Sequence, residues 1–210
     1  MCKILWQAMA GWLLLVGAAQ ADMLAPDALI KDTALEVIAI VKQDPDIKAG
    51  NQKKVLALVD AKVLPNFDFN RMTQLAAGKY WRQATPEQKK ALVAEFRNML
   101  VRTYTKAFTL YRDQTIEVKP LKLAPEETEV TVRTRVIKTG GGQPTSVDYQ
   151  MKKGDEGWKV FDVAIEGVSM VTSYRSTFAS QIEQSGIDAL IKTLADMNAD
   201  AGKLHKADAK

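Results

Sequence analysis

The chain has 210 residues, with 29 basic and 25 acidic side chains and a formal net charge of +4. One cysteine and one histidine exclude an internal disulfide framework and leave zinc sites of the usual Cys/His kind without ligands. A charge this small gives no argument for a nucleic-acid partner.

The N-terminus predicts a segment that does not belong to the fold. Lys3 supplies a basic start, Trp12 to Val16 is the densest apolar run, and Ala19-Gln20-Ala21 is a small-x-small site ahead of polar Asp22. This order reads as a cleavable export signal over residues 1–21. A spanning helix needs about 20 apolar residues, and this run is interrupted by Gln7 and Gly11. Cys2 lies ahead of the apolar run, whereas a lipid-modified cysteine would follow it, so Cys2 is expected to leave with the signal. Residues 22–198 are then expected to form a single cysteine-free domain in an oxidising compartment. Residues 199–210 hold Leu204 as their one large apolar side chain and are expected to be a disordered tail.

The first half of the domain reads as helical. A helix opens at Ala25-Pro26-Asp27, with proline suited to the first turn and an acid at the positive end of the dipole. Ile30, Ala34, Val37, Ile38 and Val41 share one face, and Asp44-Pro45-Asp46 ends it. A second run carries Val55 to Val63 and stops at Pro65. Residues 66–84 form an aromatic-rich helical turn region closed at Gly78. Thr85-Pro86-Glu87-Gln88 is a capping box that opens a long helix, whose apolar face runs from Leu92 to Tyr111 and is widened by Tyr104 and Phe108.

Alternation takes over after residue 114. Ile116 and Val118, then Leu121 and Leu123, predict a strand interrupted at Pro120. Val130, Val132, Thr134 and Val136 form a second strand. The Gly140-Gly141-Gly142 hairpin follows, and Val147, Tyr149 and Met151 form a third. Trp158 to Ile165 is apolar on both faces, with Phe161, Val163 and Ile165 assigned to one side and Trp158, Val160 and Ala164 to the other. A helix over 168–185 places Val171, Tyr174, Phe178 and Ile182 on one stripe. Gly186 stops it, and a short helix carries Ile187 to Met197. The class is α+β, with about four antiparallel strands between N-terminal and C-terminal helices.

Little here suggests catalysis. His205 lies in the tail, and the triple glycine joins two strands and lacks the lysine of a phosphate loop. Asp148, Asp162 and Glu166 lie on or near the sheet, and paired acids hydrolyse glycosides. Asp162 interrupts an apolar strand, and a buried or half-buried acid paired with an arginine or a turn amide is the weightier reading. Apolar side chains are in generous supply, and periodicity alone cannot separate a packed core from a greasy pocket.

Three segments carry a family resemblance. Phe67-Asp68-Phe69 leads to Gly78-Lys79-Tyr80-Trp81 and Ala84-Thr85-Pro86-Glu87-Gln88; Leu100 to Tyr111 centres on Thr103-Tyr104; and Trp158-Lys159-Val160-Phe161-Asp162-Val163 runs into Glu166-Gly167-Val168-Ser169, Tyr174-Arg175 and Phe178. Over about residues 24–198 the chain resembles the MlaC family, also called toluene-tolerance proteins. The resemblance implies a curved antiparallel sheet and surrounding helices that enclose an apolar pocket. It also implies a periplasmic phospholipid carrier, not an enzyme, with no cofactor beyond its diacyl glycerophospholipid cargo. Such a carrier passes lipid between an outer-membrane lipoprotein–porin complex and an inner-membrane ABC transporter bearing an MCE-domain subunit, and so maintains outer-membrane lipid asymmetry. A monomer is expected. The alternatives are a periplasmic hydrolase using Asp162 and Glu166, or an adaptor that binds no lipid.

On the carrier reading, Tyr104 and Phe108 of the long helix line one side of the pocket. Val130, Val132, Val147, Tyr149, Phe161, Val163 and Ile165 line the sheet side, and Val171, Tyr174 and Phe178 close it from the late helix. Arg133, Arg135, Lys138, Lys152 and Lys153 are the candidate partner-docking residues. No catalytic or metal-ligating residue is expected.

Overall fold

A computed structural model describes residues 23–110, 114–138 and 140–207, with 106–110 and 201–207 described by backbone alone. The expected export signal lies outside the described residues.

Local chemistry sets the helix ends. α1 (Pro26–Gln43) has proline at its first turn. Asp44 follows it and caps α2 (Pro45–Lys48), accepting from the Asp46 and Ile47 amides at 2.8 and 3.1 Å. Asn51 caps α3 (Gln52–Leu58), which passes into a π-helical turn at Val59–Val63. Asp68 caps α4 (Phe69–Ala77), and Gly78 at φ 57° turns the chain into a 3-10 segment. Ahead of α5 (Pro86–Leu110) the capping box forms in both directions. The Thr85 amide donates to Gln88 Oε1 at 3.0 Å and the Gln88 amide donates to Thr85 Oγ1 at 3.2 Å.

The sheet is antiparallel throughout, in the order β1 (Gln114–Val118), β2 (Glu129–Lys138), β3 (Thr145–Gly154), β4 (Gly157–Ile165) and β5 (Val168–Ser169). It has one strand more than the sequence suggests. Glu166 and Gly167, at φ 50° and 78°, make a tight turn that folds β5 back onto β4. The helix expected from residue 168 therefore starts only at Arg175, after a 3-10 turn at Thr172–Tyr174. Asp162 holds this excursion in place. Its carboxylate accepts from the Val163 amide at 2.8 Å, the Val171 amide at 3.2 Å and the Ser169 hydroxyl. β1 also stops short of Pro120, which has no N–H to give a ladder, and Leu123 is exposed rather than part of a strand. α6 (Arg175–Ala207) changes direction at Gly186 (φ 84°, ψ 172°) and runs on past residue 198, where the sequence reading ended the domain.

One irregularity reassigns the faces of β4. Tyr149 faces Val163 and Gln150 faces Asp162, but Met151 faces Val160, so Phe161 is the extra residue of a bulge. Strict alternation placed Phe161 with Val163 and Ile165. The bulge instead puts Trp158 and Val160 on the face of Val163, and turns Phe161 toward the helical side.

The core divides accordingly. Phe96, buried completely in α5, packs edge-on against Tyr174 and Phe178 at 5.4 and 5.1 Å and anchors a helical cluster from α4, α5 and α6 that includes Phe161. Arg71 ties α4 to the sheet, its guanidinium lying 4.5 Å above the Phe161 ring and 2.7 Å from Glu129. On the other side, Val130, Val132, Met151, Trp158 and Val160 form the inner sheet face beneath Leu29 and Ile30 of α1. Val37, Val41, Ile47, Val55 and Leu58 join α1 to α2 and α3.

Candidate functional site

The inner face of the sheet is only half covered. One half, from Val130 to Trp158, is sealed by the start of α1. The other half faces a cavity of about 300 Å³. Its sheet wall consists of cross-strand pairs, whose members share a face: Ile116 with Val136, Val147 with Ile165, and Tyr149 with Val163. Ile30, Ala34, Val37, Ile38 and Val41 of α1 form the wall opposite. Val59 and Val63 of the π-helical turn add a third side. Asp60 and Lys62 of the same turn pair with Arg97 and Glu36, each at 2.6 Å. Phe67, Phe69, Met72, Leu100 and Tyr104 close the deep end.

Burial gives the cavity a direction. Met72, Leu100, Val37 and Val163 are buried, whereas Ile116, Val136, Val147 and Ile165 are half-buried. Among the described residues the wall is therefore least covered toward the end where β2 turns into β3.

The few polar groups in the wall are mostly satisfied from within. The Asn66 amide donates to the Thr33 hydroxyl at 3.1 Å, and the Thr105 hydroxyl donates to the Val101 carbonyl. Tyr104 is hydrogen-bonded to Tyr174, and burial together with this neighbour pushes the Tyr174 phenol up to about 12. The cavity walls are thus neutral and mostly apolar. Among the described residues no group of histidine, cysteine and acidic side chains can hold a metal ion.

The structure separates the residues singled out from the sequence into groups. Tyr104, Val147, Tyr149, Val163 and Ile165 meet in the cavity wall. Val130 and Val132 share that sheet face but lie in its sealed half. Phe161, Val171, Tyr174 and Phe178 belong to the helical cluster, and Tyr174 touches the cavity only through Tyr104. The side chain of Phe108 lies outside the described residues. The α1 stripe, the two valines of the π turn, and Gln114, Ile116 and Val136 were not singled out. For α1 the periodic stripe was visible in the sequence but indistinguishable from ordinary core.

The five candidate docking residues are spread along β2 and β3. Arg133 and Arg135 project outward from β2, facing Asp148 and lying beside Glu117, and Lys152 pairs with Glu129 at 3.3 Å. Lys138 faces Gln114 at the open end of the cavity, whereas Lys153 faces Trp158 at the far end of the ribbon. Lys138 stands nine strand positions from the residue facing Lys152, roughly 30 Å at the rise of a β-strand. The acids considered for catalysis are engaged in turns. Asp162 binds two amides and a hydroxyl, and Glu166 accepts from the Ser146 amide at the sheet end.

Comparison with known proteins agrees with this architecture. The family model described as MlaC protein matches residues 31–196. A solved phospholipid-binding protein from Ralstonia solanacearum, in complex with a phospholipid, is 39% identical and superposes with a TM-score of 0.76, covering 84% of this chain and 98% of that one. The intermembrane phospholipid transport system binding protein MlaC of Haemophilus influenzae is 25% identical over 153 residues, 72% of this chain and 68% of its own. The toluene tolerance protein ttg2D of Pseudomonas putida is 26% identical over 200 residues, 95% of this chain and 90% of its own.

Proposed function

The chain belongs to the MlaC family, and we propose that it is a periplasmic carrier of diacyl glycerophospholipid. In this reading, residues 1–21 direct export and the domain from residue 22 onward shuttles lipid between an outer-membrane lipoprotein–porin complex and an inner-membrane ABC transporter with an MCE-domain subunit. That traffic maintains outer-membrane lipid asymmetry. The observation that carries the proposal is the apolar cavity, open at one end, in a chain similar to a protein solved with phospholipid bound.

The energetics suit a shuttle. Each buried methylene is worth about 0.8 kcal/mol, but an acyl chain gains the same amount in a bilayer. A carrier must therefore match the membrane, not outbid it, and apolar walls with satisfied polar groups do this. Among the described residues no helix is long and apolar enough to cross a membrane. The outward basic residues Arg133 and Arg135 are the natural docking candidates for acidic partner surfaces. The hydrolase alternative loses its main support, because the Asp162 carboxylate is occupied by turn donors and is absent from the cavity wall.

The proposal is tested by phospholipid transfer between donor and acceptor vesicles, followed with a fluorescent diacyl lipid. Transfer should rise in proportion to added protein. Transfer at the protein-free rate, with folded protein present, would overturn it.

A further inference from the structure

One polar atom in the cavity wall lacks a partner. Gln114 is 7% exposed, and its Oε1 is buried without a hydrogen bond. The other such atom among the described residues, Arg71 Nε, belongs to the link between α4 and the sheet and does not line the cavity. A buried acceptor left unmet is costly, and this one stands where the cavity opens, so a ligand entering there can satisfy it.

Its cross-strand neighbour adds a second feature. Gln114, the first residue of β1, faces Lys138, the last of β2. Directly opposed residues project to the same side, with Cβ atoms roughly 5 Å apart. Lys138 is exposed and belongs to none of the ion pairs among the described residues. The rim thus offers a free cation beside an unmet acceptor, with apolar walls behind both.

A glycerophospholipid has matching parts. Its phosphodiester is an anion. Its ester and phosphate oxygens only accept hydrogen bonds, so the only donors are in the head group: the ammonium of ethanolamine or the hydroxyls of glycerol. Choline has neither. We propose that Gln114 and Lys138 form a head-group site, in which Lys138 meets the phosphodiester and Gln114 Oε1 accepts from a head-group N–H or O–H. The site rests on the carrier reading and gives it a selectivity, for phosphatidylethanolamine and phosphatidylglycerol over phosphatidylcholine. Gln114 sets the choice between ethanolamine and choline, while Lys138 meets the phosphodiester that both lipids carry.

The test loads the protein from vesicles of equal phosphatidylethanolamine and phosphatidylcholine, then re-isolates it and measures both lipids. The wild type should hold ethanolamine lipid in about fivefold excess, the factor given by one hydrogen bond of about 1 kcal/mol. Gln114→Met should bring the ratio to about one by lowering the bound ethanolamine lipid, and Gln114→Glu, which keeps an acceptor, should retain the preference. Lys138→Gln should lower total lipid without moving the ratio. An equal ratio in the wild type, or an excess that persists in Gln114→Met, overturns the head-group site while leaving the carrier reading intact. Absence of both lipids from folded wild-type protein overturns the carrier reading itself, and the head-group site with it.

Discussion

Val160 and Val163 stand three positions apart in β4 and yet share one face of the sheet, because Phe161 is the extra residue of a bulge. The consequence is a division of labour within one strand. Val160, facing Met151, fills the sealed half of the inner face, while Val163, facing Tyr149, lines the cavity. Phe161 is left to pack with the helices under the Arg71 guanidinium.

A charge at Val163 should empty the cavity. Val163 is 6% exposed and lies deep in the wall, so the carboxylate of Val163→Glu would face acyl chains with no partner. Phospholipid recovered per folded molecule is expected to fall at least tenfold. Normal lipid content in a variant with native circular dichroism would show that this wall does not hold the cargo.

Asp162 should matter for stability and not for cargo. Asp162→Ala leaves the Val171 amide and the Ser169 hydroxyl without their acceptor, at a cost of about 3 kcal/mol. Urea unfolding should register that loss, with lipid per folded molecule unchanged. A variant of wild-type stability would mean that the carboxylate does not anchor the β4–β5 turn.

Tyr174 predicts an alkaline weakness. Its phenol is pushed up to about 12 by burial and by Tyr104, against about 10 in an unfolded chain. The folded state then holds a proton that the unfolded state releases. This stabilisation is complete below pH about 10 and is lost as pH rises toward 12. Thermal melts from pH 9 upward should show the midpoint falling across that window, and less steeply in Tyr174→Phe. Parallel curves for the two proteins would refute the assignment.

Much of the scaffold was legible in the residues. The capping box at Thr85 and Gln88, the stop at Asp44 and the alternating β2 and β3 patterns are local signals, and each appears as expected. What escaped depends on contacts distant in sequence. The bulge at Phe161 follows from pairing with β3 and has no local marker. β5 forms because Asp162 captures Ser169 and Val171 before a helix can begin. The hardest distinction was cavity from core. Ile30 and Ala34 sit on one α1 stripe, but Ile30 also belongs to the sealed cluster, whereas Ala34 meets only the open side. Periodicity marks such a face as apolar without saying what covers it.

The central claim is that this cavity carries phospholipid, and it can be read directly. The protein, purified from its native compartment without added lipid, is extracted with organic solvent and the extract quantified by mass spectrometry against folded protein. The account predicts diacyl glycerophospholipid in stoichiometric amount, reduced at least tenfold in Val163→Glu. Extracts of folded wild-type protein that contain no phospholipid would contradict it.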